Sequence, residues 1–299
     1  MELPSQTLLK TRIVINAGEE GIDINGNEKA TNGLDDDGNG FVDDYQGYNF
    51  ATNTPQNVDN SGHGTHVAGI VAADHDKITY ITNLPQGIAP RAKILPLDFI
   101  DTDGGTLDDA IRAIDYVIMM NEQMNIRVVN ASWGGPSCSS ILEEKISQLG
   151  LHNILFISAA GNLGRNLENP NYFEYPAKFK LANQITVGST TFFGGMAGHS
   201  NYGELSVDLF APGEDIFSTL FEDSVGMLTG TSMAAPFVAG AAAVLWSAKP
   251  TANYNEIKQA INAGVDYDPF MISITRGSLN IQCALEHLLN QPLSQRCQN

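Results

Sequence analysis

Short apolar runs alternate with longer helical patterns through most of this chain. Residues 93–97, 128–132, 154–159, 185–187, 206–210 and 225–228 are too short for helices. Gly, Asn or other polar clusters bound them, so each predicts a buried strand. Between them, residues 106–122 carry apolar positions at helical spacing, with Asp108 and Asp109 where the first turn favours negative charge. Helical patterns also cover 139–149, the stretch from His63 to about Ala73, the stretch from Ser232 to about Ala248, 254–263 and 281–289. Strands alternating with helices at this spacing predict an α/β fold, a mostly parallel sheet in three layers with helices on both faces. No repeat, linker or low-complexity tract interrupts residues 1–299, so one domain is expected.

The polar stretches change this picture in one place. After a β-like run at 12–15, a Gly/Asn/Asp-rich loop extends to Asp44. Within it, Asp35, Asp37, Asn39, the Phe41 carbonyl and Asp43 alternate, with Gly40 at the sharp turn. That is the first half of an EF-hand-type loop, without the terminal bidentate Glu, and it predicts a structural Ca²⁺ site. The chain carries 34 acidic against 16 basic residues, a net charge of −18. So acidic a balance argues against nucleic acid or an anionic membrane as partner and leaves room for cations. No run approaches 18 apolar residues, and no signal peptide is visible at the N-terminus. Three cysteines are too few for a disulfide scaffold; Cys283 and Cys297 could bridge a short loop, or all three, Cys138 included, could be reduced.

Three stretches carry chemistry. Gly230-Thr231-Ser232-Met233-Ala234-Ala235-Pro236 places a hydroxyl at the start of a long apolar helix, where free N–H groups favour a developing oxyanion. Gly62-His63-Gly64-Thr65-His66 sets an imidazole between glycines, with His66 one turn on and read as structural. Ile157-Ser158-Ala159-Ala160-Gly161-Asn162 ends an apolar run in an amide donor. Nucleophile, base and amide are the parts of acyl transfer. A non-protease α/β hydrolase is disfavoured, because its serine sits in a Gly-x-Ser-x-Gly elbow followed by its acid and base.

In this order, the motifs resemble the subtilisin-like serine proteases, the subtilases, from about Asn16 to about Leu288. The resemblance implies a serine endopeptidase with His63 as general base, Ser232 as nucleophile and Asn162 as oxyanion donor. It further implies that Ser132, Trp133 and Gly134 pair with extended substrate backbone. With Ala159, Ala160 and Gly161 they would wall a pocket whose small residues leave room for a sizeable apolar side chain. Tyr175-Pro176 falls where the family often has a cis-proline turn. Polypeptide substrates, a propeptide, a monomer, and a secreted or cell-envelope location are the family's expectation.

One part of the pattern is missing. The family's third catalytic residue is an aspartate that ends a buried strand upstream of the histidine, and nothing before His63 fits it. Asp23, Asp35, Asp37, Asp43 and Asp59 sit in polar loops. Either Asn16-Ala17-Gly18 is a degenerate version of that motif, or the chain starts too late. In the second case Asn16-Ala17-Gly18-Glu19 resembles the Asn-Pro-Gly-Glu stretch that follows the aspartate strand, and this reading is preferred. Without that strand the sheet is expected to have unpaired edges beside a core void. The chain as written would then be poorly stable and nearly inactive. The alternative is a catalytically silent protein of the same fold that binds extended peptides.

Overall fold

The elements follow one another as the alternation predicts. A computed structural model of the chain describes residues 8–55, 59, 61–74, 84–101, 104–221 and 224–298. In chain order they are β1 (Tyr48–Asn49), α1 (His63–Ala72), β2 (Leu97–Asp98), β3 (Ile100–Asp101), β4 (Gly104–Gly105), α2 (Leu107–Met124), β5 (Val128–Ala131), α3 (Ser140–Leu151) and β6 (Leu155–Ala159). Then come β7 (Gln184–Thr190), β8 (Leu209–Pro212), β9 (Ile216–Thr219), β10 (Val225–Leu228), α4 (Thr231–Ala248), α5 (Tyr254–Ala263), β11 (Asp266–Tyr267), β12 (Gly277–Ser278) and α6 (Ile281–Leu288). Residues 12–15, expected as a strand, make a single bridge, Ile13 to Ile94. The loop expected over 74–90 lies partly outside the described residues.

The main sheet runs β11-β12-β8-β7-β6-β5, parallel except for β11 against β12. Side chains alternate across it, as the period of two requires. On one face Leu155 and Ile157 pack with Ala235, Val238 and Ala242 of α4. On the other, Phe156 packs with Ile114 and Val117 of α2 and with Leu142 and Ile146 of α3. Sheet and helices therefore form the expected three layers. Asn253 closes a capping box with Glu256 at the start of α5, and Thr106 caps α2 through Asp109 N. Helix α4 has 18 residues and a mean hydropathy of 1.4, long and apolar enough by composition to cross a membrane, but 67% of it is buried as the central core helix. Cys283 and Cys297 are bonded across 14 residues, and Cys138 is a free, exposed thiol.

The sheet stops at β5, and β2 pairs with β1 in a separate two-stranded sheet. Between them lies a cavity of about 1770 Å³. Residues 92–100 line one side and 126–130, 132 and 133 the other; Val117, Val71 and Trp246 from three helices close it. Protein interiors hold few voids larger than a water molecule, and small-molecule pockets run to roughly 1,000 Å³. The gap lies between the edges of β2 and β5. Asn130 Oδ1, which faces this region from β5, is buried without a hydrogen-bond partner among the described residues.

Candidate active site

Ser232 stands in the first turn of α4, whose N-cap is Gly230. Pro236 lies inside this helix and has no N–H, so the Ser232 carbonyl receives no bond from it. Ser132 Oγ fills that place, donating to Ser232 O at 2.7 Å. Ser232 Oγ in turn donates to Ser132 O at 3.1 Å. The nucleophile's turn is thus docked onto the end of β5 by two reciprocal bonds. Asn130 Nδ2 supports the arrangement by donating to Ser132 Oγ at 2.9 Å.

Asn162 follows the C-terminal end of β6. Its Oδ1 accepts from Thr231 N at 2.8 Å and from Thr231 Oγ1 at 2.9 Å. Thr231 is fully buried, and its hydroxyl also accepts from Gly161 N. Two donors on one oxygen fix which way the amide faces, so Nδ2 is the free donor of an exposed side chain beside α4. The sequence motif named Asn162; the role of Thr231 in orienting it was not legible there.

His63 opens α1 after Gly62, which adopts φ 76°. A Cβ at Gly62 would collide with Phe221 and crowd Leu220, so the left-handed turn and the close approach both require glycine. Burial pushes the His63 pKa down, and the Asp59 carboxylate pushes it back up. No hydrogen bond joins His63 to Ser232 among the described residues. Both His63 and Ser132 line the cavity beside β5, as does Asp59. His66 is fully buried, and its Nε2 donates to the carbonyls of Ile216 (2.9 Å) and Gly226 (3.3 Å), a structural role as expected.

Asp59 is not a free acid. Its oxygens accept from Ser61 N and Gly62 N, and from Thr65 N in the first turn of α1, whose N-cap is Gly62. Burial raises its pKa, but these bonds outweigh the burial and hold it low. Asn16, the degenerate candidate for the acid, is fully buried elsewhere, donating to Asp37 and Asp44. The segment 132–135 runs beside residue 175, with Gly135 and Tyr175 exchanging backbone bonds at 2.9 and 2.8 Å, and the Tyr175–Pro176 peptide is cis.

The acidic segment differs from the expected alternating loop. Asp35 caps its own turn, accepting from Asn39 N and Gly40 N, and Asp43 accepts from Gly33 N. Asn39 and the Phe41 amide are tied into the same turn. Of the five expected ligands, Asp37 alone joins a carboxylate group with Glu19 and Asp44, all within 4.8 Å of one another. Glu19 and Asp44 are fully buried, and Glu19 Oε2 has no partner among the described residues. Burial, with the neighbouring carboxylates, pushes the Glu19 pKa up to about 6. Glu19 and Asp44 reach this group only through the folding of residues 16–44, so spacing alone could not identify them.

Residues 10–270 match the subtilase family of peptidases. The chain is 35% identical over 222 residues to the thermostable alkaline protease of Halalkalibacterium halodurans, covering 74% of this chain and 57% of that protein. It is 31% identical over 241 residues to subtilisin DY of Bacillus licheniformis, covering 80% and 83%. Among solved structures, a cold adapted subtilisin-like serine proteinase superposes with a TM-score of 0.65 at 30% identity over 78% of each chain. The chain thus spans a little over half the length of the first of these relatives.

Proposed function

This chain belongs to the subtilase family, and from that premise we propose that it is a serine endopeptidase whose acyl-enzyme forms on Ser232. The observation that carries the reading is the amide of Asn162, locked by Thr231 beside the first turn of α4. A substrate carbonyl is attacked by Ser232 Oγ, which leaves Ser132 O to do so. His63 takes the hydroxyl proton and delivers it to the leaving amine. Asn162 Nδ2 and the N-terminal amides of α4 stabilise the oxyanion. Extended substrate lies along Ser132, Trp133 and Gly134, with Ala159, Ala160 and Gly161 opposite, adding as a β-strand. The acid that would hold the His63 imidazolium belongs, on this reading, to a strand filling the gap between β2 and β5. A polypeptide substrate, a propeptide, a monomeric state and a secreted or cell-envelope location complete the proposal.

A neutral fluorophosphonate probe tests it. Labelling is expected, with the adduct mapped by peptide mass spectrometry to Ser232. A catalytically silent peptide-binding protein of the same fold would remain unlabelled.

The proposal includes a structural Ca²⁺ held by Glu19, Asp37 and Asp44. The donor set fits: hard carboxylate oxygens, two residues fully buried, and one oxygen without a partner. Three mutually close carboxylates are costly to bury unless a cation neutralises them. Free Ca²⁺ at about a hundred times its Kd should stabilise the fold by roughly 3 kcal/mol. A rise in Tm of several degrees, reversed by chelator and absent in Glu19→Gln, would be seen by calorimetry; an equal shift in that variant would rule this set out.

A further inference from the structure

A carboxylate that the motifs do not announce lies beside Gly134 and Gly161. Glu174 is half-buried and lies between the two segments assigned to substrate. A Cβ on Gly134 would collide with Glu174 Oε1, and one on Gly161 would come within 2.9 Å of its Cδ and 3.0 Å of its Oε2. The carboxylate thus fills the space that side chains at these two positions would take, and Gly161 also adopts φ 96°. The backbone bonds between Gly135 and Tyr175 hold residue 174 against this wall.

The two carboxylate oxygens are not equivalent. Oε2 accepts from Tyr172 Oη at 2.7 Å. That hydroxyl receives a bond from Asn201 Nδ2, which also donates to Ala160 O, so the network is anchored to the opposite wall. Oε1 accepts no hydrogen bond among the described residues. The nearby cations are committed elsewhere: Arg165 lies over the Tyr172 ring, and Lys178 Nζ donates to the carbonyls of Asn169 and Tyr172. Burial raises the Glu174 pKa, and only the Tyr172 bond opposes this. Among the described residues this carboxylate has no cationic partner, and one oxygen is free to meet one.

Resting on the protease reading for the identity of the two walls, we propose that Glu174 makes the pocket between Gly134 and Gly161 a cation-binding subsite, so that this enzyme cleaves after lysine or arginine. The small residues 159–161 taken alone implied an apolar guest. Glu174 reverses that expectation, because an apolar group would desolvate the carboxylate without replacing its hydrogen bonds. A lysine ammonium needs only the one free oxygen. Arginine prefers to engage both, and Tyr172 already holds one, so lysine should be the better guest.

The test compares peptidyl diphenyl phosphonates bearing lysine or leucine at the residue next to phosphorus. The lysine probe should label Ser232 faster, and Glu174→Gln should lower the lysine-to-leucine ratio on the order of tenfold to a hundredfold. Glutamine keeps the shape and the Tyr172 bond. Equal labelling by both probes, or a ratio unchanged in Glu174→Gln, would overturn the proposal. Calorimetric binding of benzamidine, an aryl cation, needs no chemistry at Ser232. Binding lost in Glu174→Gln supports the subsite even where no phosphonate reacts; absent or unchanged binding removes it. A neutral fluorophosphonate in parallel reports on the protease reading separately.

Discussion

Supplying an apolar strand that ends in aspartate, as an N-terminal extension or a peptide in trans, will raise kcat about 10⁴-fold. Removal of the acid alone costs a subtilisin about 3 × 10⁴ in kcat, so its restoration should recover a similar factor. The structure offers the strand a berth, with one edge of β5 free, residues 92–100 opposite and His63 on the lining. The acid would orient the imidazole and stabilise its protonated form. That second effect has a pH signature. His63 is now held low by burial, with the Asp59 carboxylate opposing it. General-base catalysis needs neutral His63, so the rate of the chain alone should rise with pH through this lowered value. A new carboxylate raises the pKa, so the acid limb should move to higher pH while the plateau climbs. A matched strand ending in asparagine separates the effects. It should raise Tm by filling the apolar gap, but leave kcat near that of the chain alone. Equal rates with either strand would show that the cavity affects stability only.

Asn162→Ala is expected to reduce kcat about 10²–10³-fold with little change in KM. The magnitude is that found when the oxyanion amide of a subtilisin is removed, and it is borrowed from that relative. The geometry predicts a companion effect. Thr231→Val keeps the buried shape but withdraws the hydroxyl bond from Asn162 Oδ1, leaving only the Thr231 amide to fix it. Its loss should be smaller than that of Asn162→Ala, and the double variant should be no worse than Asn162→Ala alone. Additive losses would mean that Thr231 acts independently of the amide. Both variants can be read on the strand-completed protein or by the rate of fluorophosphonate labelling.

The parts legible in the sequence are those written by local periodicity. Residues 225–228 and 254–263 form the strand and the helix that the pattern predicts, and a capping box fixes the start of the helix. The expected strand at 206–210 instead spans Leu209–Pro212, and Asp208 just before it bonds Thr186 through both its N–H and its carboxylate. The expected strand at 93–97 shrinks to Leu97–Asp98, facing a gap where a partner would extend it. The site residues with linear motifs, His63, Asn162 and Ser232, could be named at once. Glu174, Thr231 and the Glu19–Asp37–Asp44 group could not, since each acquires meaning from residues brought close only by the fold. Asp59 reads in the sequence as a loop acid; in the fold it accepts from Gly62 N and Thr65 N at the start of α1, four residues before His63.

The two reciprocal bonds between Ser132 and Ser232 tie the nucleophile to the sheet's outer strand where its own helix cannot hold it. Strand and nucleophile therefore share one lever. Whatever occupies the berth beside β5 stiffens that lever as well as supplying a charge. The tightness of the reactive hydroxyl's aim becomes a readout of whether the sheet is complete.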